Sequence, residues 1–232
     1  MRSAKSVGRT IGGLLLLQMV AGFMVNFVLL GPAITSPPGF LETAAANPTR
    51  VSLAVILMIA MGALSIANMI LAWPIFRQYS DRMALWLVAL SIAGLALAAV
   101  EGAAVMSMLS LSQEYARAEA ADAQLIRTMA IIVRSGRNWA HYTHLVIGGG
   151  LIFSLNVTMF RFELVPRLLA GFGMAAAILQ MAVMSMTFFG TPVNFTLLAP
   201  MGFSFLALSL WLLARGFADP EGRMNGTEEL KV

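Results

Sequence analysis

Apolar residues along this chain fall in long unbroken blocks, not in the two-residue alternation of strands. Six blocks approach the roughly 20 residues a helix needs to cross a hydrocarbon layer: Ile11–Gly31, Val51–Phe76, Met83–Leu109, His141–Phe160, Leu168–Phe189 and Phe195–Ala214. The pattern predicts an all-α polytopic membrane protein with six transmembrane helices. Residues that stop or charge a helix separate the blocks. Gly31-Pro32, Ser36-Pro37-Pro38-Gly39 and Asn47-Pro48 end the first block and shape a loop. Arg77, Asp81 and Arg82 divide the second from the third. Arg161, Glu163, Pro166 and Arg167 divide the fourth from the fifth, and Gly190-Thr191-Pro192 divides the last two.

One sizeable polar stretch, Ser112 to Asn138, lies between the third and fourth spans. Its first half, Gln113 to Ala120, is polar and strongly helix-forming. In its second half Leu125, Met129, Ile132 and Val133 recur at helical spacing opposite Arg127 and Arg134. Two readings stay open. The stretch is an amphipathic helix lying on the outer membrane face, or it continues the third span beyond the bilayer.

Composition agrees with the block pattern. Of 232 residues 59% are hydrophobic and 11% charged, against about 25% charged in soluble domains. The mean hydropathy is +0.82. A sequence pI near 10.1 and a net charge of +4 raise nucleic acid as a partner, but the basic residues sit singly between apolar runs and no nucleic-acid motif accompanies them. They are topology signals instead. With the N-terminus inside, the cytoplasmic side holds Arg2, Lys5, Arg9, Arg77, Arg82, Arg161, Arg167, Arg215, Arg223 and Lys231, and the outer side Arg50, Arg117, Arg127, Arg134 and Arg137. Ten against five predicts that both termini lie in the cytoplasm. Arg2, Lys5 and Arg9 before an apolar run also resemble a signal peptide. That run is longer than an h-region of about 7–15 residues and lacks a small-x-small cleavage site, so a retained span is expected. The division is a cytoplasmic segment 1–10, a transmembrane domain 11–216 with its outer segment 112–138, and a cytoplasmic tail 217–232, polar and disordered from Asp219.

Several chemistries are excluded. Cysteine is absent, which removes disulfides, thiolate metal sites and Cys nucleophiles. Lysine occurs at Lys5 and Lys231, outside every span, so no intramembrane Schiff base can form. His141 and His144 are the two histidines, too few for a di-iron site and poorly spaced for bis-histidine haem. No P-loop, dinucleotide-binding glycine pattern or metalloprotease helix motif is present. No cofactor and no resident metal are expected. The repeated Ala-Val-Met-Ser-Met at Met106–Met108 and Met184–Met186 raises Cu(I) binding by thioethers, but methionine is also an ordinary gap-filling residue, and the copper reading is disfavoured.

Certain landmarks go beyond hydropathy: the opening Gly8-Arg9-Thr10-Ile11-Gly12-Gly13-Leu14-Leu15-Leu16-Leu17, the third span from Ala84-Leu85-Trp86-Leu87 to Val100-Glu101-Gly102-Ala103, the turn Leu164-Val165-Pro166-Arg167-Leu168-Leu169-Ala170-Gly171, and the closing Leu210-Trp211-Leu212-Leu213-Ala214-Arg215-Gly216. Together they resemble the bacterial membrane-protein family catalogued as domain of unknown function 4386. The sequence departs from that family at two places. Ala98 and Ala99 stand where an arginine commonly precedes the acidic residue, and Gly148-Gly149-Gly150-Leu151 alone matches the family's Phe-Phe-Gly-Leu-His stretch. The resemblance implies the membrane fold; with no settled activity in the family, it implies no particular reaction.

Glu101 is the acidic residue placed well inside a predicted span, and an intramembrane ionisable group is a functional candidate by default. Running outward on the third span and inward on the fourth puts Glu101 at the depth of His144. The sequence therefore predicts a Glu101–His144 pair, with Arg137 and Tyr142 at the rim, Asn26 of the first span joining it, and His141 an interfacial residue. Such a group is either a lock between helices or a polar pocket open to the outer leaflet. Gln18, Asn68, Asn156 and Gln180 read as interhelical amide glue, and Gly148–Gly150 as a close-packing or bending stretch. Three functions are compatible: binding of a lipophilic ligand or partner protein through the outer half; an integral-membrane enzyme of isomerase or cyclase type with Glu101 as general acid; and a proton-coupled transporter, for which no broken helix pair or inverted repeat speaks. Membrane lipids are the one partner expected throughout.

Overall fold

The computed structural model describes residues 3–218; the tail from Asp219, with its predicted disorder, lies outside them. Among the described residues every regular element is helical. Helix α1, Ala4–Phe23, continues without a break into a wider-wound stretch, Met24–Thr35. A short α2, Phe40–Thr43, precedes α3, Pro48–Tyr79. Then come α4, Asp81–Tyr115, and α5, Ala120–Arg161. Helices α6, Arg167–Met186, and α7, Ala199–Arg215, close the chain.

Six helical runs, counting the wider-wound stretch after α1 and the 3₁₀ turns Thr187–Phe189 after α6 and Phe195–Leu198 before α7, are long and apolar enough to cross a membrane, and each predicted span lies within one of them. The observed helices run further because polarity ends a hydrophobic block without ending a helix. Local chemistry sets the actual ends. Pro48 opens α3, where its missing N–H has no partner to lose. The Ser80 hydroxyl accepts from Met83 N at 3.3 Å and starts α4, with Asp81 in the first turn. Gly216, at φ 74°, ends α7 in a conformation that favours glycine. Pro32, predicted to end the first span, lies inside the helical run. Its ring removes one backbone donor and crowds the preceding turn. The chain there widens to π-type winding, and the Gly31 carbonyl accepts from Ser36 N at 3.0 Å and Thr35 Oγ1 at 2.9 Å.

The polar stretch 112–138 belongs to two helices. Its first residues extend α4 to Tyr115, a turn covers Ala116–Glu119, and the remainder is the start of α5. Its amphipathic half is therefore continuous with the fourth span and is not a separate helix lying flat. With 42 residues, α5 is about 63 Å long, twice the roughly 30 Å of a hydrocarbon core. The α4–α5 hairpin thus projects beyond the membrane at one end, here called the hairpin end. The other, the terminal end, holds the start of α1 and the finish of α7.

Neighbours in the bundle follow chain order. Helix α1 packs on α3, α3 on α4, α4 on α5, α5 on α6, α6 on α7, and α7 returns to α1, which closes a ring. Gly8 and Gly12 make that closure possible. A Cβ at Gly12 would overlap the backbone of α7 at Leu213 N, and one at Gly8 the backbone just after it at Phe217 N, so the two main chains lie against one another. The Arg9 guanidinium donates to Ala214 O at 3.0 Å and caps the end of α7. Two large apolar layers fill the ring, beside a small third cluster of Ala176, Ala177 and Met201. One, at the terminal end, includes Ile11, Phe76, Leu87, Met159 and Leu212. The other, at the hairpin end, includes Leu30, Ala33, Val51, Val105 and Leu109. Within hydrocarbon such layers are held by close packing, not by escape from water.

Candidate functional site

Helix α5 presents Arg137, His141 and His144 at positions i, i+4 and i+7, one stripe of a helix. That stripe faces Glu101 on α4, whose side chain is 3% exposed. Glu101 Oε1 accepts from His141 Nδ1 at 2.7 Å and from an Arg137 terminal nitrogen at 3.3 Å. Glu101 Oε2 accepts from His144 Nδ1 at 3.0 Å. A carboxylate only accepts, so the protons of both imidazoles lie on Nδ1, and each Nε2 is left for other work. One carboxylate thus faces one guanidinium and two imidazoles. The Nε–H of Arg137 is buried without an acceptor among the described residues. Gly102, beside Glu101, lets α3 approach, since a Cβ there would stand 3.0 Å from Val55 Cγ1.

The expected Glu101–His144 pair is present, and two more α5 side chains reach the same carboxylate. His141 is a direct partner of Glu101 as well, because its ring lies on the inward stripe. Arg137 is buried rather than at a rim. Tyr142 sits beside the site, with its ring 6.1 Å from that of His141. Trp139 meets Tyr142 edge-on at 6.0 Å and stacks on Phe188 of the turn after α6 at 5.5 Å. Asn26 takes no part. It is exposed, and its Nδ2 donates to Gly22 O at 2.9 Å. The methionine repeats are each split, with Met108 and Met184 buried and Met106 and Met186 exposed.

Between the two apolar layers lies a cavity of about 300 Å³, walled by α1, α3, α4, α5 and α7. His144 belongs to its lining and so joins the ion cluster to the hollow of the ring. Met19, Met58, Met61 and Met69 line it too, with Gln18 and Asn68 as its amides. Gly94 and Gly148 also line it, and a Cβ on either would meet nothing within 4 Å. A larger recess, about 560 Å³, lies at the terminal end among Glu163, Arg167, Trp211 and Arg215, away from the Glu101 cluster.

Two other amides bridge or fill. Gln180 Nε2 on α6 donates to Leu145 O on α5 at 3.0 Å. Asn156 bonds back to Ile152 O at 2.8 Å and packs over Gly173, where a Cβ would collide with it. Gly149 admits Met181, whose Cγ would lie 2.7 Å from an added Cβ.

The family profile described as Domain of unknown function (DUF4386) matches residues 10–216. The chain belongs to this family. No curated protein and no solved structure was found to match it. All four Glu101 cluster residues and the whole cavity lining fall inside the stretch matched to DUF4386. The stripe 137/141/144 was the signal available in the sequence for the complete cluster: three basic or imidazole side chains at helical spacing, preceding an apolar run.

Proposed function

We propose that this protein binds a small lipophilic molecule within its bundle, from a bacterial plasma membrane in which both termini face the cytoplasm. The observation that supports this is the cavity. A mostly apolar hollow with a few polar groups at its ends is the usual form of a small-molecule site, and about 300 Å³ is room for an organic ligand. The ion cluster next to it fixes one wall. Glu101 ties α4 to α5 through three donors and orients the His144 ring at the cavity edge. Both oxygens of Glu101 are thereby occupied, which favours binding over catalysis: a general acid needs a proton of its own and an approach to substrate.

Gly148→Leu tests the reading. Its side chain would enter the cavity without meeting backbone, so we expect uptake of a lipophilic fluorescent probe to fall at least tenfold while the melting temperature in detergent holds or rises. Undiminished probe binding in that variant would remove the cavity as the site.

A further inference from the structure

Resting on that cavity reading, we infer that the ligand is a lipophilic carboxylic acid of medium chain length, and that its carboxyl group meets His144 Nε2 at the edge of the cavity.

His144 has two ring nitrogens, and Glu101 takes one of them. Nδ1 lies 3.0 Å from Glu101 Oε2, which fixes the ring and leaves Nε2 on its far edge. Nε2 bonds to no described residue and, unlike Arg137 Nε, is not sealed off by packing. The His144 side chain is 31% exposed. Helix spacing shows what it is exposed to. His144, Gly148, Leu151 and Leu155 recur at i, i+4, i+7 and i+11, one stripe of α5, and all four line the hollow. The ring thus stands between Glu101 and the cavity, with its open nitrogen on the edge that a ligand can touch.

Charge selects the polar group of that ligand. Among the described residues His144 is the one titratable side chain in the lining. Behind it stand one carboxylate and one guanidinium, so the cluster sums to zero with neutral imidazoles and is positive once either takes a proton. A cationic ligand would find no counter-charge, because both oxygens of Glu101 are held by α5. A carboxyl group suits this wall in both of its forms. As an acid its O–H donates to Nε2, and as a carboxylate it accepts from Nε2–H. One proton lies between oxygen and nitrogen either way. A hydrogen bond with an ionised partner is roughly twice as strong as a neutral one. An alcohol lacks the ionised form, and an ester brings no proton.

Size sets the chain length. A volume of about 300 Å³ corresponds to roughly ten waters at about 30 Å³ each, which suits an acid of about eight carbons and excludes a two-chain phospholipid. The methionine side chains on the wall adapt to such a chain without demanding one shape.

Octanoic acid and methyl octanoate make the test, by equilibrium dialysis against protein in nanodiscs with uptake by empty discs subtracted. The acid is expected to bind about tenfold more tightly than the ester, and His144→Phe, which keeps a ring without nitrogen, to erase the difference. The chain has two histidines, so isotope labelling of the imidazole nitrogens leaves two rings to follow by NMR, told apart in the His141→Phe variant. Octanoic acid should move the Nε2 resonance of His144, and the ester should not. That readout decides the matter should His144→Phe fail to fold. Equal affinity for acid and ester in the wild type overturns the carboxyl requirement and leaves the cavity reading standing. Preference for the acid without movement of the His144 resonance, or with the preference intact in His144→Phe, overturns the inference too. The carboxyl is then held elsewhere, as by Arg167 and Arg215 in the recess at the terminal end. Absence of binding by either probe overturns both readings.

Discussion

Glu101 holds the site together through three donors on one neighbouring helix, and the balance of charge there is easily upset. In Glu101→Gln the buried Arg137 loses its counter-charge, and an amide NH2 faces imidazole N–H groups. We expect a loss of about 3–5 kcal/mol, read as a lowered unfolding midpoint in detergent. Adding Arg137→Leu should recover part of it, because contacting residues are not additive. An unchanged midpoint in the single variant would mean that the cluster is not a lock. The sequence reveals this site in part. Glu101 stands out as an acid inside an apolar block, and matching depths on antiparallel helices find His144. Depth alone cannot find His141 or place Arg137, because what brings them in is the face of the helix, not their height. Asn26 was misplaced for a related reason. It lies in the wider-wound part of the first helix, where α-helical spacing no longer tells which way a side chain points.

For the helices themselves, existence and order were legible and lengths were not. Hydropathy marks where a helix is apolar, while α4 and α5 continue past that limit because nothing in them breaks a helix. The Ser80 and Pro48 starts can be read from sequence; the passage through Pro32 cannot, since it depends on relaxed winding. Helix contacts were hidden too, apart from one clue in the four-residue spacing of Gly8 and Gly12. That contact yields an internal comparison. Gly12→Leu forces α1 away from α7, whereas a Cβ at Gly13 finds Leu213 Cδ1 at a comfortable 3.7 Å. Gly12→Leu should therefore lower the detergent melting temperature sharply and Gly13→Ala scarcely at all. Similar effects from the two would show that the α1–α7 seam is not close-packed in the membrane.

At the level of the whole molecule, the closed ring follows from short connections between antiparallel neighbours, but the hollow at its waist could not be foreseen. It depends on two packed layers failing to meet, and no residue pattern announces that. Orientation is a separate matter, resting on the basic residues. The chain has no cysteine, so single cysteines can be placed without background. Ser3→Cys should stay unlabelled by an impermeant thiol reagent in intact cells, and Arg117→Cys, in the exposed hairpin turn, should react. The reverse result would invert the topology.

The α4–α5 hairpin has a consequence for how the protein is met from solution. Its projecting part carries Glu114, Glu119 and Asp122 against Arg117, Arg127 and Arg134, a sum of zero. Among the described residues the terminal end shows Lys5, Arg9, Arg77, Arg82, Arg161, Arg167 and Arg215 against Asp81 and Glu163. One face is electrically quiet and the other, over these residues, cationic. A soluble molecule approaching the hairpin is drawn by no long-range field, so its rate of encounter should hardly change with salt. At the opposite face, any acidic visitor would be gathered in from a distance, and salt would slow its arrival.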